Sequence, residues 1–198
     1  MKAQIIFISI DTTGLPIKNN KEYYNPSDLV KYDCSRIVKI SWEIYDLSKK
    51  KISTNNFVVK AEDFTIKNSP YHSITPEISS NEGIPIRHIL DKLEEDIDLS
   101  KLIVSHCYEF CKKVLQSEAY RSGKLNLVKK LETKDNICTG LSNVNTLKLQ
   151  FDKSYSSGYK IPRLDELYFY CFKKPLEVKH DSSYNVEIIS KCFFSLVK

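Results

Sequence analysis

The run Phe7-Ile8-Ser9-Ile10-Asp11-Thr12-Thr13-Gly14-Leu15-Pro16 limits what this chain can fold into more than any other stretch. Ile6, Ile8 and Ile10 alternate with Phe7 and Ser9, so an extended strand here is apolar on both faces until it reaches Asp11. Such a strand belongs in the middle of a sheet that is covered on both sides. It stops at an acidic, hydroxyl-rich turn, and in open α/β sheets ligands gather beyond strand ends of this kind. A plain core strand closed by a Thr-Thr-Gly turn fits the same letters, so the company further along the chain has to decide.

That company reads as mixed α/β. Ile17 to Asp33 is polar and predicts a solvent-facing loop. Arg36 to Leu47 alternates through Ile37, Ile40, Trp42, Ile44 and Tyr45, and Ser48-Lys49-Lys50 turns it into a second β segment, Ile52 to Val59. The pair predicts an antiparallel hairpin beside the first strand. Phe64 to Pro85 carries Pro70, Pro76 and Pro85 and reads as irregular. A helix follows, with Ile86, Ile89, Leu90, Leu93 and Ile97 on one face. Leu102-Ile103-Val104 is a short buried strand that runs through Ser105 and His106 into a helix ended by Gly123, the geometry of a parallel βα unit. Ile137 to Thr139 predicts a further strand, Asn143 to Gly158 a loop, Pro162 the start of a helix through Phe172, and Ser183 to Val197 a final amphipathic helix.

The chain has 198 residues, 41% of them hydrophobic, which is enough for one substantial core and predicts a single domain over residues 1–198. Net charge is +5, which favours anionic partners. Of the 30 basic residues only Arg36, Arg87, Arg121 and Arg163 are arginines. Lysine meets phosphate as a point charge and reads bases poorly, so any nucleic-acid binding is expected to be salt-sensitive and weakly sequence-specific. Six cysteines show no disulfide-framework spacing, which predicts reduced thiols in a cytoplasmic protein. Cys107 and Cys111 are spaced to share a helix face, but a metal site there needs further ligands. The apolar run after Met1-Lys2 is too short for a signal peptide, and no stretch is apolar enough to cross a membrane.

Four segments, taken in order, resemble the DEDDh-type 3′-to-5′ exonuclease family of the ribonuclease H-like fold, which includes the ε subunit of bacterial DNA polymerase III. Ser9-Ile10-Asp11-Thr12-Thr13-Gly14 is similar to that family's Asp-x-Glu-Thr-Thr-Gly, and His72-Ser73-Ile74-Thr75-Pro76-Glu77 to its His-Gly-Ile-Thr with a following acid. His106-Cys107-Tyr108-Glu109-Phe110-Cys111 matches His-Asn-x-x-Phe-Asp, and His180-Asp181-Ser182-Ser183-Tyr184-Asn185 matches the terminal His-x4-Asp. The run Pro162-Arg163-Leu164-Asp165-Glu166-Leu167 also looks like the C-terminal part of bacterial members. The resemblance covers nearly the whole chain. It implies an α/β fold with a mixed central sheet, three strands of it antiparallel, joined by parallel βα units and flanked by helices.

In the family, four carboxylates hold two Mg²⁺ or Mn²⁺ ions about 4 Å apart for phosphodiester hydrolysis. The matching positions here are Ser9, Asp11, Cys111 and Asn185, which leaves Asp11 to hold at most a single ion weakly. His180 keeps the general-base position. Thr12, Thr13, Gly14, His72, Ile74 and Phe110 keep positions that border the nucleotide in the family. Twelve tyrosines add stacking capacity. Glu109, Asp181 and Glu187 lie near the motifs but out of their spacing, and each reads more simply as a solvated charge. The reading that follows is a pseudo-exonuclease that binds single-stranded 3′ ends or nucleotides. A slow or Mn²⁺-dependent 3′-to-5′ exonuclease and a protein-interaction scaffold without a nucleic-acid role are the alternatives, and no protein partner is named by the sequence.

Overall fold

The computed structural model describes residues 3–151 and 158–197. Strand β1, Gln4–Thr12, leads to a small hairpin of β2, Lys18–Asn19, and β3, Glu22–Tyr23, and then to a single 3-10 turn over Leu29–Tyr32. The stretch expected to be plain loop therefore has local structure, with Tyr32 fully buried and its hydroxyl donating to the Tyr24 carbonyl at 2.6 Å. Strands β4, Ile37–Asp46, and β5, Lys51–Val58, form the expected antiparallel hairpin.

Two short helices, α1, Ser69–His72, and α2, Pro76–Glu82, occupy the segment read as irregular. Of the prolines there, Pro70 and Pro76 sit in first turns, where a missing N–H costs nothing, and Pro85 is the residue just before the next helix. Thr75 completes α2 by accepting the Ile78 amide on its hydroxyl at 3.3 Å. Helix α3, Ile86–Leu99, feeds strand β6, Ser100–Ser105, and helix α4, Tyr108–Arg121, follows it. Gly123, at φ +70°, closes α4. An unexpected helix α5, Leu125–Thr133, buries Leu127 and Leu131, a four-residue spacing too brief to stand out among its lysines. Strand β7, Asn136–Cys138, precedes a short helix α6, Val144–Leu147, within the segment read as loop; residues 152–157 of that segment lie outside the described residues. Helix α7, Leu164–Phe172, begins just after Pro162, and α8, Ser182–Leu196, ends the fold.

The sheet order is β5-β4-β1-β6-β7, so β1 is central. It pairs antiparallel with β4 and parallel with β6, and β6 pairs parallel with β7. Its two apolar faces each meet helices. Ile6 and Ile8 pack in one cluster with Leu90, Leu93 and Ile97 of α3 and Val114 of α4. Ile5 and Phe7 face α8, where Phe7 meets Phe193 edge-on at 5.4 Å between ring centroids. Ser9 and Asp11 continue this second face by the two-residue period of a strand. The β1–β4 register shifts between Asp11 and Thr12, an irregularity at the strand end.

Candidate functional site

At the C-terminal end of β1 two hollows lie side by side. One, of about 460 Å³, is lined by Ser9, Phe110, Cys111, Asp165, His180 and Asn185 among others. The other, of about 610 Å³, is lined by Asp11, Thr12, Gly14, Tyr71, His72 and His180. Ile10 and His180 belong to both, so these two side chains form the divide. Strand β1, the N-terminal turn of α4, the approach to α8 and the loop around α1 thus converge on one place.

Asp11 is 9% exposed, and its carboxylate accepts the Ser182 amide at 2.7 Å. That amide lies in the first turn of α8, one of the donors a helix leaves without an internal partner. Burial raises the Asp11 pKa against the opposing pull of Ser182. Cys111, near the start of α4, is buried, and burial pushes its thiol up to about 12, so it stays protonated at neutral pH. Ser9 and Asn185 present neutral groups to the first hollow. A pair of hard divalent ions needs several anionic oxygens. The set Ser9, Asp11, Cys111 and Asn185 offers one carboxylate, itself anchored to α8, and does not fit two such ions. Among the described residues no three His, Cys, Asp or Glu side chains stand together so as to hold a metal.

The nearby acids are engaged elsewhere. Asp181 caps α8 by accepting the Ser183 and Tyr184 amides at 2.8 and 3.2 Å, and it pairs with Lys39 at 2.8 Å. Burial works against its charge, but Lys39 and Ser183 prevail and hold it down at about 2. Glu187 pairs with Lys191 at 2.6 Å and Glu109 with Lys112 at 3.1 Å. Asp165, on the wall of the first hollow, is held by Arg163 at 2.8 Å.

The positions that the family resemblance places beside a nucleotide differ in their surroundings. Thr12 donates its hydroxyl to the Gly14 carbonyl at 2.7 Å, closing the turn. Thr13 is turned inward, donating to the Cys34 carbonyl at 3.1 Å and accepting the Arg36 amide at 3.0 Å. A Cβ at Gly14 would lie 2.7 Å from the Cys34 carbonyl oxygen, so the close approach of the two segments requires glycine. His72 is buried: its Nδ1 accepts the Ile74 amide at 3.2 Å, which leaves Nε2 to donate to the Lys67 carbonyl at 2.8 Å. Ile74 packs in a core cluster with Val38 and Ile66 and lines neither hollow, whereas Phe110 lines the first. Cys107 and Cys111 do not pair as a thiol face, because Cys107 precedes α4 in the left-handed conformation at φ +60° and is exposed.

His106 is a structural member of the site that its motif position alone does not explain. Its Nε2 donates to the Pro162 carbonyl at 3.0 Å and its Nδ1 meets the Thr139 hydroxyl at 3.0 Å, tying β6, β7 and the approach to α7 together. Burial lowers its pKa, consistent with a neutral ring bonded at both nitrogens. Gly140 leaves room for that ring, since a Cβ there would stand 3.2 Å from it.

Three solved structures show the same arrangement of strands and helices. E. coli exonuclease I in complex with a dT13 oligonucleotide superposes with a TM-score of 0.71 at 15% identity, covering 100% of this chain and 41% of that one. The fold is that of part of exonuclease I. The complex of the E. coli protein with a 5cy-dA13 oligonucleotide gives 0.69 at 16% identity, covering 100% and 40%. A product-bound exonuclease I gives 0.70 at 13%, covering 99% and 43%. The chain thus spans about two fifths of the length of these neighbours. No family model and no curated protein matches the sequence. At these identities the likeness concerns the fold, and it agrees with the mixed α/β exonuclease architecture expected from the four motifs. Among the described residues no helix is long and apolar enough to cross a membrane.

Proposed function

We propose that residues 1–198 form a single exonuclease-like domain that holds a single-stranded 3′ end, or a nucleotide, at the C-terminal end of β1 without efficient two-metal hydrolysis. The observation that carries this reading is the bond from the Ser182 amide to Asp11, at 2.7 Å. The acid that remains in the first motif is committed to the start of α8, beside Ser9, Cys111 and Asn185, none of them anionic at neutral pH. Mg²⁺ or Mn²⁺ in the family activates water. Without it His180 has no acidified water from which to take a proton, and the general-base role lapses.

Binding asks less of the site. The Thr12–Gly14 turn and Phe110 border the ligand, while His72 and Ile74 support the wall behind it. Lys179 lines the first hollow and, though paired with Glu177 at 3.1 Å, brings a positive charge that phosphate can share, in keeping with the lysine-rich composition. The oligonucleotide complexes of the structural neighbours favour a strand over an unrelated ligand.

The test incubates purified protein with an end-labelled single strand in Mg²⁺ and in Mn²⁺, alongside fluorescence anisotropy on the same strand. Binding that weakens steeply with salt, with the strand left at full length, is expected. Stepwise shortening abolished by Asp11→Ala and by His180→Ala would establish the active exonuclease instead. No binding even at low salt would leave the protein-interaction scaffold.

A further inference from the structure

Tyr71 and His180 come from segments more than a hundred residues apart, yet their ring centroids lie 5.1 Å apart with the planes tilted by 57°. Both rings are exposed, Tyr71 to 66%, although large aromatic groups gain by burial. They stand over the divide between the two hollows, with Tyr71 on the second and His180 on both.

The supports beneath them are fixed. Tyr71 sits in α1 between Asn68 and Ser73, both left-handed at φ 60°, a conformation that is uncommon for residues other than glycine. Asn68 holds its place by donating its side-chain amide to the Thr13 carbonyl, and His72 braces the loop from Lys67 to Ile74 with both ring nitrogens. His180 directly precedes Asp181, which Lys39 and the first turn of α8 secure. Two exposed rings are therefore held on braced backbone at the mouth of a cleft. Aromatic side chains positioned beforehand lose little freedom when a flat ligand arrives.

We propose that Tyr71 and His180, whose rings already touch, form one aromatic platform that clamps a single unpaired nucleobase between itself and the cleft wall, and that His180 acts through the face of its ring. This rests on the reading that the cleft receives nucleic acid or a nucleotide. Stacking tolerates every base, because each has a π-face, which suits a chain poor in arginine. The ligand chemistry shared by the two sources is a nucleobase carrying a phosphate. A strand end presents it in a chain, and a nucleoside monophosphate presents it alone.

Anisotropy of a 5′-labelled short oligothymidylate at low salt, with thymidine monophosphate as competitor, tests the clamp. Tyr71→Ala and His180→Ala are each expected to weaken binding about 5- to 150-fold, the range for removal of one stacking partner. Tyr71→Phe and His180→Phe keep the rings and are expected to bind within about threefold of wild type. Competition by the monophosphate, weakened equally by the alanine variants, assigns the clamp to the base alone, and failure to compete assigns it to a base within a strand. Either result supports stacking. If wild type binds and the alanine variants match it, the clamp is overturned while the nucleic-acid reading stands. A His180→Phe variant as weak as His180→Ala also overturns it, since the ring nitrogens would then be what matters. If wild type binds neither probe, the clamp and the reading beneath it both fall. Tyr71 and His180 are exposed, so the variants are expected to fold, and far-UV circular dichroism verifies that they have.

Discussion

Asp11 offers the most direct separation of a structural acid from a metal ligand. Replacing it with alanine removes the acceptor for the Ser182 amide at 2.7 Å and leaves that donor in a buried setting. A charge-assisted bond of this kind contributes about 1.5–3 kcal/mol, so Asp11→Ala is expected to cost about 2 kcal/mol. In a domain of this size, that lowers Tm by roughly 4–8 °C. Asp11→Asn keeps an acceptor oxygen and removes a buried charge, and is expected to stay within about 1 kcal/mol of wild type at pH 7. The dependence on pH has a definite sign. Burial raises the folded-state pKa of Asp11 above its unfolded value, so the native state binds the proton more tightly. This group's contribution to stability therefore grows as pH falls through the folded pKa toward the unfolded one, and is least favourable at neutral pH. Asp11→Asn lacks that dependence, so its stability relative to wild type should be highest near pH 7 and decline toward acid. Urea unfolding from pH 4 to 7, with and without Mn²⁺, measures all of this. The reasoning fails if Asn costs as much as Ala at pH 7. It also fails if Mn²⁺ raises the stability of wild type in a saturable way that Asp11→Asn abolishes, because the carboxylate would then serve an ion.

Three further outcomes are expected. Lys39→Met should leave Asp181 without its cation and cost less than about 1 kcal/mol at pH 7, because the pair is partly solvated. The stability that Asp181 contributes is present above its unfolded pKa near 4 and is lost as pH falls toward about 2, so the variant should show a flatter acid limb in pH-dependent melting. Arg36→Met strands the buried Glu118 carboxylate, now 2.8 Å from Arg36 Nε, and is expected to cost about 3–5 kcal/mol in urea unfolding, with Arg36→Met/Glu118→Leu recovering much of it. Ser9→Asp, Asp11→Glu, Cys111→Asp and Asn185→Asp together should lower stability in chelator through repulsion, and Mg²⁺ should restore it along with strand cleavage. An absence of any Mg²⁺ effect on that variant's melting would show that the four positions do not converge as ligands.

Much of the fold is legible locally, because a strand or helix writes its own period into the chain. The doubly apolar β1, the β4–β5 hairpin and the α3–β6–α4 succession follow from alternation, helical spacing and turn residues. Where reading by composition misses, the cause is also local: Pro70 and Pro76 start helices α1 and α2, and α5 is too short for its two buried leucines to declare a face. The types of the candidate ligands, Ser9, Asp11, Cys111 and Asn185, are likewise a matter of sequence, and they bound the charge any pocket there can offer.

The uses to which those residues are put depend on partners far away in the chain. Asp11 reaches the amide of Ser182, and Lys39 reaches Asp181. His72 lines the second hollow and His106 the first, and the fold surrounds each ring with backbone or hydroxyl partners that brace it, which neither motif reveals. His180 meets Tyr71 because the loop around α1 and the approach to α8 are brought to the same strand end. Periodicity tells a side chain which face of its own element it occupies. Only packing those elements against one another determines what that face meets, and hydrogen bonding and desolvation, which decide a carboxylate's or an imidazole's role, act over the few ångströms that packing creates.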